Sequence, residues 1–215
     1  MQIYHGSENI IQRPVYGYGK RNNDYGLGFY CTQDYDLACE WAVDADRDGY
    51  ANEYSLDVKG LKVLDLKGDN FNTLNWIAIL LDNRDFYINS PIARESKRFL
   101  LDNYLPDYEK ADIIRGYRAD DSYFAYARDF INNTISLQQL SEAMRYGKLG
   151  EQIVLKSESA FERIAYIRSD KVAWNVWYPK KESRDSIARG KYFDIDKNSF
   201  RRGETYMIKL LEEGI

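Results

Sequence analysis

Three short segments bring together residue types that hold and react with ligands: Tyr4-His5-Gly6-Ser7, Gly26-Leu27-Gly28-Phe29-Tyr30-Cys31 and Gly150-Glu151-Gln152-Ile153-Val154-Leu155. An imidazole, a hydroxyl and a carboxylate or amide can each hydrogen-bond a ligand hydroxyl, and glycine lets a ligand approach the backbone without a side chain in the way. Tyr30 and Trp41 are flat, amphipathic rings that either fill a core or stack on another ring. Taken singly, each segment also has a structural reading, as a surface turn, a core strand and an ordinary strand start. A lone histidine excludes a zinc site of several imidazoles, and Cys31 and Cys39, eight apart, have no accompanying ligand pattern. No metal is expected, and both cysteines read as reduced structural thiols.

The elements that must position these residues follow from pattern. Met1 to Tyr4 reads as a short first strand entering a turn at His5-Gly6-Ser7, and the polar, Gly-rich stretch to Asp24 reads as a loop able to cover a pocket. Tyr25 to Thr32 reads as a strand. A helix capped by Thr32 or Asp34 should run to about Ala45, because Leu37, Ala38, Trp41, Ala42 and Ala45 share one face. Two strands joined by a turn are expected over Tyr50 to Val58 and Leu61 to Leu66. Helical periods follow at Thr73 to Asn83, Ile92 to Tyr104 and Asp120 to Ile131, with a strand at Ala111 to Arg115. Ser136 and Gln139 have capping-box spacing, with Gly147 as the helix stop. Strands return at Gln152 to Lys156 and Ile164 to Ile167, with a helical turn between them at Ser159 to Arg163. Trp174 to Tyr178 reads as β-like before the charged Lys180 to Arg189. The order predicts one α+β domain over 1–215 with a helical section inserted at about 70–147.

In this order the segments resemble the His-Tyr-Glu branch of the ADP-ribosyltransferase superfamily, which includes poly(ADP-ribose) polymerases and diphtheria-type toxins. That branch has His-Gly-Ser, then Gly-x-Gly-aliphatic-Tyr, then Glu opening an apolar strand. A closer resemblance is to an uncharacterised bacterial family in the same superfamily (domain-of-unknown-function family 3990), whose last strand is led by Gln. Asp24-Tyr25-Gly26-Leu27-Gly28-Phe29-Tyr30 is similar to its second signature, with Tyr for Phe. The resemblance covers about the first sixty residues and the strand from Glu151.

It implies a split mixed β-sheet fold and NAD as substrate, with no metal. Cleaving the nicotinamide–ribose bond builds positive charge on the sugar, so the site must hold the ring, fix the ribose hydroxyls and stabilise that charge. By resemblance His5 bonds a ribose hydroxyl, Gly6 offers backbone groups to the carboxamide, Ser7 adds a hydroxyl, and Tyr30 and Trp41 stack on nicotinamide beside Gly28 and Phe29. The last catalytic position is Glu151 on the polymerase pattern and Gln152 on the bacterial one. Successive strand residues face opposite ways, so only one of them reaches a pocket, and Gln152 is preferred. An amide there brings no negative charge, which fits slow or absent transfer. The resemblance implies a mono-ADP-ribosyltransferase acting on a protein or nucleic acid, as a bacterial effector or a toxin paired with an antitoxin. It also admits an NAD glycohydrolase or an inactive NAD-binding module.

The remaining candidates have plainer readings. Arg84, after Asn83 at a helix end, meets a phosphate or, more simply, the helix dipole or a carboxylate; Asp120-Asp121 reads as a helix cap. Arg13, Lys20 and Arg21 lie in the covering loop, where they attract a pyrophosphate or are solvated. The 215 residues are 44% hydrophobic and 30% charged, and can bury a sizeable core. A formal charge of −4 excludes a general positive field for nucleic acid, though not a local basic groove. With no signal-like N-terminus and no apolar stretch longer than Trp76 to Leu81, a cytoplasmic protein without a membrane partner is expected.

Overall fold

The computed structural model describes residues 1–119, 121–146, 150–194 and 200–214. The chain opens with strand β1 (Gln2–Ser7), a long connection, strand β2 (Phe29–Cys31), helix α1 (Tyr35–Ala42), and strands β3 (Gly49–Leu56) and β4 (Val63–Asp65). Helices α2 (Thr73–Asn83) and α3 (Pro91–Tyr104) precede β5 (Ile113–Tyr117), and helices α4 (Asp121–Ile131) and α5 (Leu137–Tyr146) precede β6 (Glu151–Leu155). Helix α6 (Glu158–Glu162), strand β7 (Ile164–Val172), and helices α7 (Trp174–Asp194) and α8 (Met207–Glu213) follow.

The fold is α+β, with two sheets. One is antiparallel in the order β1-β3-β7; the other, β2-β6-β5-β4, is mixed, because β4 runs parallel to β5. Ile3, Tyr54 and Leu56 of the first sheet meet Phe29, Cys31, Ile113, Ile153 and Leu155 of the second in a buried cluster. The opposite face of the second sheet, through Ile114 and Val154, packs on the helices around Trp76, Leu80, Phe130 and Leu140. Cys39, Ala42 and Val43, in and just after α1, pack on Ala51 and Val172, on the outer side of the first sheet. Among the described residues no helix is long and apolar enough to cross a membrane.

Several boundaries follow the expected chemistry. Asp34 caps α1, its carboxylate accepting from the Leu37 N–H at 3.2 Å. Asn72 and Asn75 form a capping box at α2. Ser136 and Gln139 form the expected one before α5: the Gln139 N–H donates to Ser136 Oγ at 3.0 Å and the Ser136 N–H to Gln139 Oε1 at 2.8 Å. The proposed stop at Gly147 lies outside the described residues, as does Asp120.

Three expectations are corrected and one is refined. β1 does not end at Tyr4 but runs through His5-Gly6-Ser7, because β3 pairs along its whole length (His5 with Asn52, Gly6 with Ala51, Ser7 with Tyr50). β2 is only three residues long, since Gly26 with φ +71° turns the chain before Phe29. The two strands expected at Tyr50 and Leu61 form as β3 and β4 with a turn between them, and they belong to different sheets. Trp174 to Tyr178 starts a helix: Trp174, Trp177 and Tyr178, spaced i, i+3, i+4, pack together beside α1, and Asp48 accepts from the Trp174 N–H at 3.0 Å.

Gly49 helps set how closely α1 approaches the first sheet. A Cβ on Gly49 would lie 1.9 Å from the Ala42 carbonyl oxygen, whereas one on Gly190 in α7 would meet nothing within 4 Å. The same substitution should therefore have opposite effects. Gly49→Ala should lose about 1–3 kcal/mol or more in denaturant unfolding, and Gly190→Ala should gain about 0.5–1 kcal/mol. Equal small effects would show that the contact at Gly49 does not govern packing.

Candidate functional site

The backbone contact between β1 and β2 is one rung. The Tyr4 N–H donates to the Thr32 carbonyl at 2.7 Å and the Thr32 N–H to the Tyr4 carbonyl at 2.9 Å. In an antiparallel ladder the next such pair would be Gly6 with Tyr30. Instead the sheets part, and His5 Nδ1 donates to the Tyr30 carbonyl at 2.7 Å. The backbone groups of Gly6 point the same way as those of Tyr4, toward the opening, because odd-numbered β1 residues bond to β3.

The opening is a cleft of about 630 Å³ whose walls include His5, Gly6, Gly28, Phe29, Tyr30, Trp41 and Gln152. The His5 ring lies 4.4 Å from the Phe29 ring. Burial pushes the His5 imidazole below its ordinary pKa, and the bond to the Tyr30 carbonyl offsets only part of that. The neutral ring that gives Nδ1–H to a carbonyl keeps Nε2 as an acceptor. Gly6 is also a packing necessity: a Cβ there would lie 1.9 Å from the Ala38 carbonyl oxygen and 2.9 Å from Trp41 Cβ, so the approach that seats α1 also brings Trp41 to the cleft.

Tyr30 contributes a ring, not a proton. Its hydroxyl accepts from the Tyr25 N–H at 3.1 Å and donates to the Gly26 carbonyl at 2.6 Å, and burial raises its pKa far above the ordinary range. Gly28 sits tight against β6, where a Cβ would be 2.6 Å from Val154 Cγ1. Burial also pushes up the thiols, Cys39 to about 11 and Cys31 well above its usual value, so neither supplies a thiolate nucleophile at neutral pH.

Strand alternation separates the two candidates at the head of β6. Gln152 shares a face with Val154, lines the cleft, and is only 8% exposed. Glu151 is on the other face, bound by Lys67 and by Arg115 Nε at 2.9 Å, and does not line the cleft. Burial alone would raise the Glu151 carboxyl, but those two cations outweigh it and hold it below the usual range. Two buried polar atoms among the described residues lack a hydrogen-bond partner, Gln152 Oε1 and Trp41 Nε1, and both residues line this cleft. An unsatisfied buried polar group costs about 1–3 kcal/mol, so such a pair in one cavity points to ligand contacts.

The cleft is cationic although the chain is acidic. Arg13, Arg84, Arg118 and Lys181 line it, against one lining carboxylate among the described residues, Asp24. Asp24 Oδ2 accepts from the Ala119 N–H at 2.9 Å, and Arg84 donates to the Asn22 carbonyl at 3.1 Å, so these two tie the covering loop down. Lys181 is held by the Val43 carbonyl and Asp44. Arg118 lies 5.5 Å over the Trp41 ring, and neither it nor Arg13 forms an ion pair with a described carboxylate.

Ser7 is not in the cleft wall. Its hydroxyl donates to the Asn9 carbonyl and accepts from Asn52 Nδ2 at 3.0 Å. Asn52 is fully buried and is the organiser of this corner, its Oδ1 accepting from the Ile11 N–H and Ser169 Oγ. Lys20 and Arg21 do not reach the cleft wall. Sequence reading missed Arg118, Lys181 and Asn52. A buried-face Asn in the Tyr50 to Leu56 alternation was the available signal for Asn52; the two cations carried none.

An α+β protein with a ligand-sized, cationic cleft between diverging sheets is the class that fold and site define. The chain belongs to the family described as "Protein of unknown function (DUF3990)", whose model matches residues 1–166. No curated protein and no solved structure matches it. Every cleft residue above except Lys181, on α7, falls within the matched part.

Because His5 is the only histidine, its proton resonance can be followed without assignment. Its NMR titration midpoint should fall below the ordinary value of about 6.5. The unfolded chain then binds the proton at higher pH than the folded one, so His5 makes stability fall as pH drops through about 6.5, levelling off below the folded midpoint. His5→Gln should flatten that part of the profile. A midpoint at or above about 6.5 would mean the imidazole is not desolvated as described.

Proposed function

We propose that this chain is an NAD-dependent mono-ADP-ribosyltransferase that cleaves the nicotinamide–ribose bond and passes ADP-ribose to a protein or nucleic-acid acceptor. The observation that carries the reading is that His5, Tyr30, Trp41 and Gln152, from four separate elements, line one cleft in which two buried polar atoms lack partners. His5 Nε2 and Gln152 Oε1 are acceptors, which suit the vicinal hydroxyls of a ribose; Trp41 Nε1 is a donor for a carbonyl or phosphate oxygen. The Tyr30 and Trp41 rings offer faces for nicotinamide, and the open edge at Gly6 offers backbone groups to its carboxamide. Arg13 and Arg118 suit the pyrophosphate. The divergence of β1 from β2 and the polar lead of β6 support an ADP-ribosyltransferase-like split sheet.

A second reading has its own support. With Glu151 held by Lys67 and Arg115 away from the cleft, the third position is a neutral amide, which orients a hydroxyl but stabilises positive charge on the sugar only through its dipole. That favours slow transfer, hydrolysis of NAD to ADP-ribose, or binding without turnover.

Calorimetry with NAD, together with nicotinamide release and label transfer in bacterial lysate, tests the proposal. His5→Ala and Gln152→Ala should each weaken NAD binding about tenfold or more, and Glu151→Ala should leave it within about twofold. Gln152→Glu should raise nicotinamide release roughly tenfold, the difference between a neutral and a charge-assisted hydrogen bond. Wild-type protein that binds no NAD would end both readings. Binding without release or transfer would leave the module.

A further inference from the structure

The loop over the cleft carries a second pattern. Between residues 10 and 23 the charged side chains are Arg13, Lys20 and Arg21, all cationic and exposed, on a chain of net charge −4. Tyr18 is 81% exposed and stands between Gly17 with φ +77° and Gly19 with φ +130°; Tyr16 is 49% exposed. The hydrophobic effect does not account for a tyrosine displayed that way, since its ring faces remain open to water.

This loop is also a partition. Tyr18 lines the main cleft, whereas Tyr16 and Arg21 line a second cleft of about 320 Å³, and Gly28 lines both. The Tyr16 and Phe161 rings meet edge-on at 5.6 Å in the second cleft. Lys156 lines it too, spending one N–H on the Tyr25 carbonyl at 2.6 Å and keeping two, while Glu109 is its one described carboxylate. Aromatic faces and cations therefore continue from the main cleft across the loop. That alternation is how single-stranded nucleic acid is held without reading base edges, by stacking on rings and neutralising phosphates. A duplex offers no free base faces to Tyr18. An acidic protein segment would meet the cations but would make no use of the exposed rings.

We propose that the loop at 10–23 and the second cleft form a groove for single-stranded nucleic acid, with unpaired bases on Tyr18 and Tyr16 and phosphates at Arg21 and Lys156. Resting on the transferase reading above, this makes the acceptor a nucleotide of that strand. A base nitrogen or a hydroxyl gives an electron pair to ribose C1′, the bond from C1′ to nicotinamide breaks with its pair going to nicotinamide, and the nucleophile's proton passes to solvent.

Fluorescence anisotropy of the full chain with labelled single strands of about 12 nucleotides, RNA and DNA, and with the matching duplex, tests the groove. Single strands should bind at about 50 mM salt, at least tenfold tighter than duplex, and weaken as salt rises. Tyr18→Ala and Arg21→Glu, both at exposed positions, should each weaken binding about tenfold, and Arg21→Glu should leave calorimetric NAD binding unchanged. No single-strand binding, equal binding of duplex, or unchanged binding by both variants would overturn the proposal. So would transfer of label from NAD to lysate protein that saturating oligonucleotide fails to inhibit. Strand binding without NAD binding would sink the transferase reading and leave the groove. Nicotinamide release with no strand binding would do the reverse.

Discussion

The single backbone rung between Tyr4 and Thr32 is the constraint on which the site depends. Had the ladder continued, Gly6 and Tyr30 would have satisfied one another and no cleft would separate the sheets. The Tyr30 carbonyl is instead taken by the His5 imidazole, so one interaction terminates the pairing, fixes the ring's tautomer and aims its other nitrogen outward. A carbonyl left bare there would carry a desolvation cost of about 1–3 kcal/mol.

Close packing then decides what else reaches the cleft. The missing side chains of Gly6 and Gly49 let α1 lie against the first sheet at distances no Cβ would tolerate, and that contact brings Trp41 to the opening. Asn52 supplies the opposite restraint, pinning the turn after β1 through Ser7, Asn9 and Ile11 so that the chain leaves the sheet in a defined direction. At this corner a few buried hydrogen bonds orient a long loop with no regular structure of its own. Asp24 and Arg84 tie down its far end.

The electrostatics of the cleft depend on where charge is neutralised. Glu151 and its two cations form a partly buried cluster on the face of β6 turned away from the cleft, while the cleft-facing side has an amide. Asp24 pairs with Arg84 at 3.9 Å and Lys181 with Asp44 at 3.0 Å, leaving Arg13 and Arg118 to set the sign of the field inside. An acidic chain thus presents a cationic cavity, because net charge describes the whole surface and a cleft only its own walls.

Much of this was legible in the chain itself. The α+β order, the capping of α1 and α5, and the extent of α2 follow from local chemistry: period, side-chain hydrogen bonds to free N–H groups, and apolar spacing. Alternation along a strand also determined that Glu151 and Gln152 must face opposite ways. What it could not determine was which face looks into the cleft, since that depends on partners more than a hundred residues away. The same limit hid Arg118 and Lys181, and made Trp174 to Tyr178 read as a strand although their spacing is helical. Local pattern specifies which backbone hydrogen bonds an element makes with itself; only tertiary packing decides which neighbour its remaining side chains and open edges meet.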